Sequence, residues 1–166
     1  MPALISIPIL ALVLMLQTVI VSSLPLLSGF ADLILLVVVA WGLQAQARSA
    51  WIWAIVAGVL VGLVSSLPTG IPLAGYLIVT AIARLFRRRV WQTPILAMFL
   101  ITFIGSLVTQ GLAMASLILN GVPLPFYDSV NLVVLPSTLL NLLLALPVYA
   151  IISDLARLVY PEEVEI

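Results

Sequence analysis

The sequence predicts an all-α integral membrane protein built as a bundle of six transmembrane helices. Its composition is the first observation: 64% of the 166 residues are hydrophobic and only 7% are charged, with a mean hydropathy of +1.37. A typical soluble domain has about a quarter of its residues charged. The second observation is the distribution of the charged residues: residues 49–83 and 90–127 contain none. These stretches are expected to face lipid or other helices.

Six apolar runs follow one another in a chain that we treat as a single transmembrane domain, residues 1–166. The predicted spans cover residues 3–22, 32–47, 51–67, 72–89, 94–119 and 132–158. The segments between them read, in order, SSLPLLSGF, QARS, SLPTGIP, RRVWQT and NGVPLPFYDSVN, and they are rich in residues that end helices and make turns. Strands are not favoured, since the runs are apolar on every side and do not alternate. Pro147, inside the sixth run, is expected to kink that helix.

The arginines decide the orientation. A hairpin that turns at Pro68–Gly70 places Arg48 and the cluster Arg84, Arg87, Arg88 and Arg89 on the same side of the membrane. Short basic loops lie in the cytoplasm. With six spans, both termini are therefore expected to be cytoplasmic, and we expect the chain to lie in a bacterial inner membrane. The basic cluster, flanked by Phe86 and Trp91, either only orients the chain or also binds anionic lipid or a cytoplasmic partner.

Catalytic chemistry is not expected. The chain has no histidine, cysteine or lysine, which removes the commonest general base, the thiolate ligands and nucleophiles, and Schiff-base chemistry. Its acids are scattered: Asp32 and Asp128 lie at the predicted outer ends of spans, and the others lie at the C-terminal end. We therefore expect no enzymatic activity, no metal and no cofactor, and we expect no nucleic-acid partner.

Two groups of residues are candidates for helix packing or for a partner interface. Ala54, Gly58, Gly62 and Ser66 recur every four residues and form one narrow face, which either a helix of the same chain or another protein could approach closely. A homo-oligomer is one form of the second alternative. Ser137 and Asn141 share a face of the sixth span, with Asn141 near mid-bilayer. Polar groups within spans either pack helices together or bind a ligand; the set is Gln17, Thr102, Ser106, Thr109, Gln110, Ser137, Thr138 and Asn141.

Four segments, taken in order, resemble the family of the rod shape-determining protein MreD. They are Phe30-Ala-Asp32-Leu-Ile-Leu-Leu, the turn Ser65-Ser-Leu-Pro68-Thr-Gly70, the run Arg84-Leu-Phe-Arg-Arg-Arg, and Leu135-Pro136-Ser137-Thr-Leu-Leu-Asn141. The resemblance extends from about residue 15 to residue 158. The chain departs from the family at Gly62, where many members carry an aspartate, and at Ser66 and Thr69 in the turn.

This resemblance implies a non-catalytic subunit of the cell-elongation machinery, which links the cytoskeletal protein MreB to peptidoglycan synthesis. The implied partner is the membrane protein MreC, with RodA, a class B penicillin-binding protein and membrane lipid in the same assembly. The family also resembles, in fold, the substrate-binding subunits of energy-coupling-factor transporters. The alternative function is therefore capture of a vitamin in a cavity near the outer surface, for which the predicted outer loops offer Phe30, Asp32, Asn120, Phe126, Tyr127, Asp128 and Asn131.

Overall fold

In a computed structural model, which describes residues 4–23, 29–44, 49–87 and 93–160, the chain is helical. These residues form six helices and no strand. The helices are α1 (Ser6–Ser23), α2 (Leu33–Leu43), α3 (Ala50–Val64), α4 (Gly70–Arg87), α5 (Pro94–Leu119) and α6 (Phe126–Val159). The predicted all-α class and the count of six helices are confirmed. Arg48, Arg88, Arg89, Trp91 and the acidic tail after residue 160 lie outside the described residues.

Three helices are long and apolar enough to cross a membrane: Gly70–Arg87, Pro94–Leu119 and Phe126–Val159. Ser6–Val19, Leu33–Leu43 and Ala50–Val64 are apolar but shorter. Large apolar side chains are exposed over much of the surface, up to 87% for Leu119. Exposed apolar surface on this scale is typical of a protein surrounded by lipid.

The last helix begins at Phe126, earlier than the predicted start at residue 132. Polar side chains in the segment bond to their own helix, because Ser129 Oγ donates to Pro125 O at 2.9 Å and Asn131 Nδ2 donates to Tyr127 O at 2.9 Å. The helix widens into a π-helical turn over Val130–Val134. Pro136 follows this turn, and its ring would clash with the carbonyl of residue 132 in a regular α-helix.

Helix α2 lies at the centre of the bundle. It has 11 residues, about 16 Å of helix, which is short against a hydrocarbon core of about 30 Å. Every residue from Ile34 to Leu43 is buried, and α2 contacts all five other helices. Because protein and not lipid surrounds α2, this helix can be apolar on all sides and need not match the bilayer thickness.

Helices α3 and α4 form the hairpin that the arginine positions predict. α3 ends at Val64 and α4 begins at Gly70, with Pro68 exposed in the turn between them. The glycines of α3 face α4 of the same chain. A Cβ atom added to Gly58 would lie 2.5 Å from Leu73 Cα, and one added to Gly62 would overlap the side chain of Thr69.

The remaining members of the small-residue face differ from one another. Ala54 is fully buried in the core, whereas Ser66 lies beyond the end of α3 and is exposed. The close approach at Gly58 and Gly62 is therefore made within the chain, and it does not extend to Ser66.

At the opposite end of the bundle, the C-terminus of α2 is held by side chains. Arg87 Nη1 donates to Gln44 O at 3.1 Å, and Gln44 is the residue that caps α2. The rings of Trp41 and Trp53 stack with centroids 4.1 Å apart, and Trp41 Nε1 donates to Ser49 Oγ at 3.3 Å. The described arginines of the basic cluster therefore lie at the α2 C-terminal end, away from Asp32.

Replacing Gly58 by leucine is expected to destabilise the bundle. The new side chain would collide with the backbone of Leu73, and overpacking of this kind costs about 1–3 kcal/mol. Gly111→Leu is the matched control, since nothing lies within 4 Å of a Cβ added there. Thermal unfolding in detergent measures the difference. Equal stability of the two variants would contradict close packing of α3 on α4.

Candidate functional site

The N-terminus of α2 is where polar groups converge. The first N–H groups of a helix have no partner within the helix, and a buried N-terminus cannot obtain one from bulk water. Asp32 is the N-cap residue, and its Oδ1 accepts a hydrogen bond from Leu35 N at 2.9 Å. Ile34 N donates to Gln17 Oε1 of α1 at 3.3 Å. The side chains of Asp32 and Gln17 thus supply the hydrogen-bond acceptors that these N–H groups lack within the helix.

Tyr76 of α4 holds the Asp32 carboxylate from the other side. Its hydroxyl lies 3.2 Å from Oδ1 and 3.1 Å from Oδ2, and donates to the carboxylate. Tyr76 is only 3% exposed, so its hydroxyl needs a partner inside the bundle. The contact connects α4 to the start of α2.

The segment before α2 is bonded to α6. Asp32 N donates to Asn141 Oδ1 at 2.7 Å, and Phe30 N donates to Ser137 Oγ at 3.0 Å. Asn141 Nδ2 in turn donates to Ser106 Oγ of α5 at 2.9 Å. Asn141 is 1% exposed, so both halves of its buried amide are satisfied by other parts of the chain.

Gly29 makes this approach possible. A Cβ atom at residue 29 would lie 2.6 Å from Pro136 Cβ and 2.9 Å from Ser137 N. Only a residue without a side chain fits so close to α6. We call the six hydrogen-bonded side chains at this end of α2 the polar cluster; they are Gln17, Asp32, Tyr76, Ser106, Ser137 and Asn141.

A cavity of about 510 Å³ adjoins the polar cluster. Four cluster members line it: Gln17, Asp32, Tyr76 and Asn141. The rest of its described lining is mostly apolar and comes from α1, α3, α4, α5 and the loops; it comprises Leu14, Thr18, Phe30, Val61, Val64, Ser65, Leu67, Ile71, Pro72, Gly75, Thr109, Gln110 and Ala113. Its size is that of a small-molecule site, which typically has about 300–1,000 Å³.

Two acceptors at this cavity have bonding capacity left. Asp32 Oδ2 accepts the Tyr76 hydroxyl at 3.1 Å, and Asp32 is partly exposed. Gln110 Oε1 is buried and has no hydrogen-bond partner. No group of three acidic, histidine or cysteine side chains that could hold a metal occurs in the described part of the chain. The arrangement is suited to binding a hydrogen-bond donor.

The structure brings some of the predicted site residues together and separates others. Asp32, Pro136, Ser137 and Asn141 meet at the N-terminus of α2. Ala54, Gly58 and Gly62 lie on α3, Pro68 and Gly70 lie at the α3–α4 turn, and Arg84 and Arg87 lie at the other end of the bundle. Of the predicted outer-loop residues, Phe30 and Asp32 line the cavity, and Asn120, Phe126, Tyr127, Asp128 and Asn131 do not.

Not every polar side chain within a helix connects helices. Thr138 Oγ1 donates to Val134 O, and Thr109 Oγ1 to Gly105 O and Ser106 O, all within their own helices. Such bonds satisfy the hydroxyl without joining two elements. Tyr76 was missed by the sequence analysis, although a tyrosine in the middle of an apolar run signals a hydroxyl that requires a buried partner.

Asn141→Leu is expected to lower the stability of the bundle by about 1–3 kcal/mol, since it leaves Asp32 N–H and Ser106 Oγ without their partner. Asn131→Leu is the control on the same helix, because the Asn131 amide bonds only to Tyr127 O. Reversible unfolding in mixed micelles gives both values. A loss at Asn141 no larger than at Asn131 would show that the polar cluster does not stabilise the fold.

Comparison with known proteins yields no match: none among protein-family models, none among curated proteins and none among solved structures.

Proposed function

We propose that this chain is a non-catalytic membrane scaffold subunit of the bacterial cell-elongation complex, and that it binds an MreC-like membrane protein. In that assembly it would connect MreB to peptidoglycan synthesis, with RodA and a class B penicillin-binding protein nearby. One observation carries the proposal. Two segments that resemble the family, Phe30–Leu36 and Leu135–Asn141, bond directly to each other through Asp32 N and Asn141 Oδ1, and through Phe30 N and Ser137 Oγ.

The turn segment that resembles the family also has a defined place. Ser65–Gly70 forms the α3–α4 turn, where Thr69 packs against Gly62. An aspartate at residue 62, as in many family members, would collide with Thr69. Two of the three departures from the family pattern, Gly62 and Thr69, therefore lie in contact, and the contact requires a residue without a side chain at position 62.

The bundle supports the proposed orientation in a bacterial inner membrane with both termini in the cytoplasm. Arg87 reaches the end of α2 at Gln44, and Tyr160, just after α6, lies with its ring 6.3 Å from Trp41. The C-terminal ends of α2, α4 and α6 therefore share one end of the bundle. That end carries Arg84, Arg87 and Arg157, as the positive-inside rule requires of a cytoplasmic face.

The second candidate is a substrate-binding subunit of a vitamin transporter of the energy-coupling-factor type. The cavity beside Asp32 favours it, because such a subunit needs a concave site with a few polar contacts. A scaffold has no need of a cavity. The two functions differ in their partners, which makes them separable by experiment.

Purification from the native membrane tests the choice. A tagged chain is expected to recover an MreC-like protein, identified by mass spectrometry, because a scaffold works through stable contacts between membrane helices. An untagged strain is the control for non-specific recovery. Recovery of an ATPase module without an MreC-like protein would favour the transporter and overturn the scaffold proposal.

Reporter fusions test the orientation independently. Fusions at residues 46 and 90 and at the C-terminus are expected to report cytoplasmic locations, and fusions at residues 68 and 122 periplasmic ones, since all six arginines then lie on the cytoplasmic side. A periplasmic signal at residue 90 would contradict the six-span topology.

A further inference from the structure

The charge of the cavity beside Asp32 selects its ligand. Asp32 is the one ionisable acid among the described residues that line it, and no basic residue lies among them. An anion would meet the carboxylate without any compensating cation. A cation would gain a charge-assisted hydrogen bond from the carboxylate, whose Oδ2 accepts the neutral Tyr76 hydroxyl.

A second acceptor lies in the same cavity. Gln110 Oε1 is buried without a hydrogen-bond partner, and an unsatisfied buried acceptor is costly. Gln110 follows Thr109, which packs beside Gly75, where an added Cβ would lie 3.2 Å from Thr109 Cγ2. Gln110 lines the same cavity as Tyr76 and Asp32. A ligand with several donors would satisfy both.

The rest of the described lining is mostly apolar. Leu14 of α1, Val61 and Val64 of α3, and Ile71 and Pro72 of α4 contribute walls with no hydrogen-bonding side chain. Such walls gain free energy by covering a hydrocarbon body and gain nothing from a sugar or a phosphate.

We propose that this cavity binds a primary ammonium group carried on an apolar body, with Asp32 Oδ2 and Gln110 Oε1 accepting its N–H donors. The ammonium supplies three donors and a positive charge, and the apolar part lies against α1, α3 and α4. Such a group belongs either to an aminophospholipid or to a free amphiphilic amine. The proposal does not depend on the scaffold function, since the cavity is formed by this chain alone.

Equilibrium dialysis of radiolabelled n-octylamine against the full chain in phosphatidylcholine nanodiscs tests it, with empty nanodiscs subtracted. Choline headgroups have no N–H donors and should not compete through hydrogen bonds. Saturable binding of one octylamine per chain is expected, about tenfold tighter than binding of n-octanol or octanoate, as for one charge-assisted hydrogen bond. Equal binding of octylamine and either of the other two compounds would overturn the proposal.

Substitutions test which side chains accept the hydrogen bonds of the ammonium group. Asp32→Asn retains a good N-cap residue but removes the charge, and should weaken octylamine binding about tenfold. Asp128→Asn is the matched control, because Asp128 is an exposed acid outside the cavity, and it should bind as the wild type does. Equal loss in both variants would refute a site at Asp32.

Gln110→Leu keeps the proposal testable if Asp32→Asn fails to fold, since it breaks no hydrogen bond between helices. It should weaken octylamine binding several-fold and leave binding of octanol unchanged. Unchanged octylamine binding would remove Gln110 from the site and overturn the two-acceptor geometry.

The source of the amine is separated by lipid composition. If the native ligand is a lipid, nanodiscs with phosphatidylethanolamine should suppress octylamine binding to the wild-type chain, compared with phosphatidylcholine alone. If phosphatidylethanolamine leaves octylamine binding intact, the site takes a free amine. Either result upholds an ammonium site.

Discussion

The rest of this structure depends on one constraint: helix α2 begins inside the bundle, where water cannot satisfy its first N–H groups. In an apolar environment each unsatisfied backbone group costs several kcal/mol. The chain meets this demand with the Asp32 carboxylate and the Gln17 amide, and it ties the preceding residues to Ser137 and Asn141. Because these partners belong to different helices, satisfying α2 also fixes how α1 and α6 sit around it.

The two ends of α2 are complementary in charge. Asp32 lies at the N-terminus, where the helix dipole is positive, and Arg87 donates to Gln44 O at the C-terminus, where it is negative. A buried, wholly apolar helix of 11 residues has no polar face that would fix its position along the axis of the bundle. The acid and the arginine, each from outside the helix, fix both of its ends relative to the surrounding helices.

The same carboxylate caps α2 and borders the cavity. Its Oδ1 accepts the Leu35 N–H and caps α2, the Tyr76 hydroxyl donates to the same carboxylate, and Asp32 lines the cavity. A purely structural cap would not need a cavity beside it, and a purely ligand-binding acid would not need to cap a helix. The arrangement couples the two, because any ligand that pulls on Asp32 also acts on the N-terminus of the central helix.

The sequence by itself determined the helices, since hydropathy, turn residues and charge are local properties. The predicted span 94–119 agrees with α5, and the hairpin between α3 and α4 follows from the arginines and from Pro68–Gly70. The predicted start of the sixth span, residue 132, was wrong. The helix begins earlier because the polar side chains of Ser129 and Asn131 bond to their own helix and do not break it.

Only the tertiary structure decided which residues meet. Asn141 stood out in the sequence as a polar group in an apolar span, but its partners at Asp32 N and Ser106 Oγ are 109 and 35 residues away. The glycines of α3 were equally compatible with another protein and with the same chain, and their proximity to Leu73 and Thr69 resolved the alternatives at those two positions. A pattern along one helix records which face is polar or small. The identity of the neighbour depends on how the other five helices pack around α2, and that is a property of the whole chain.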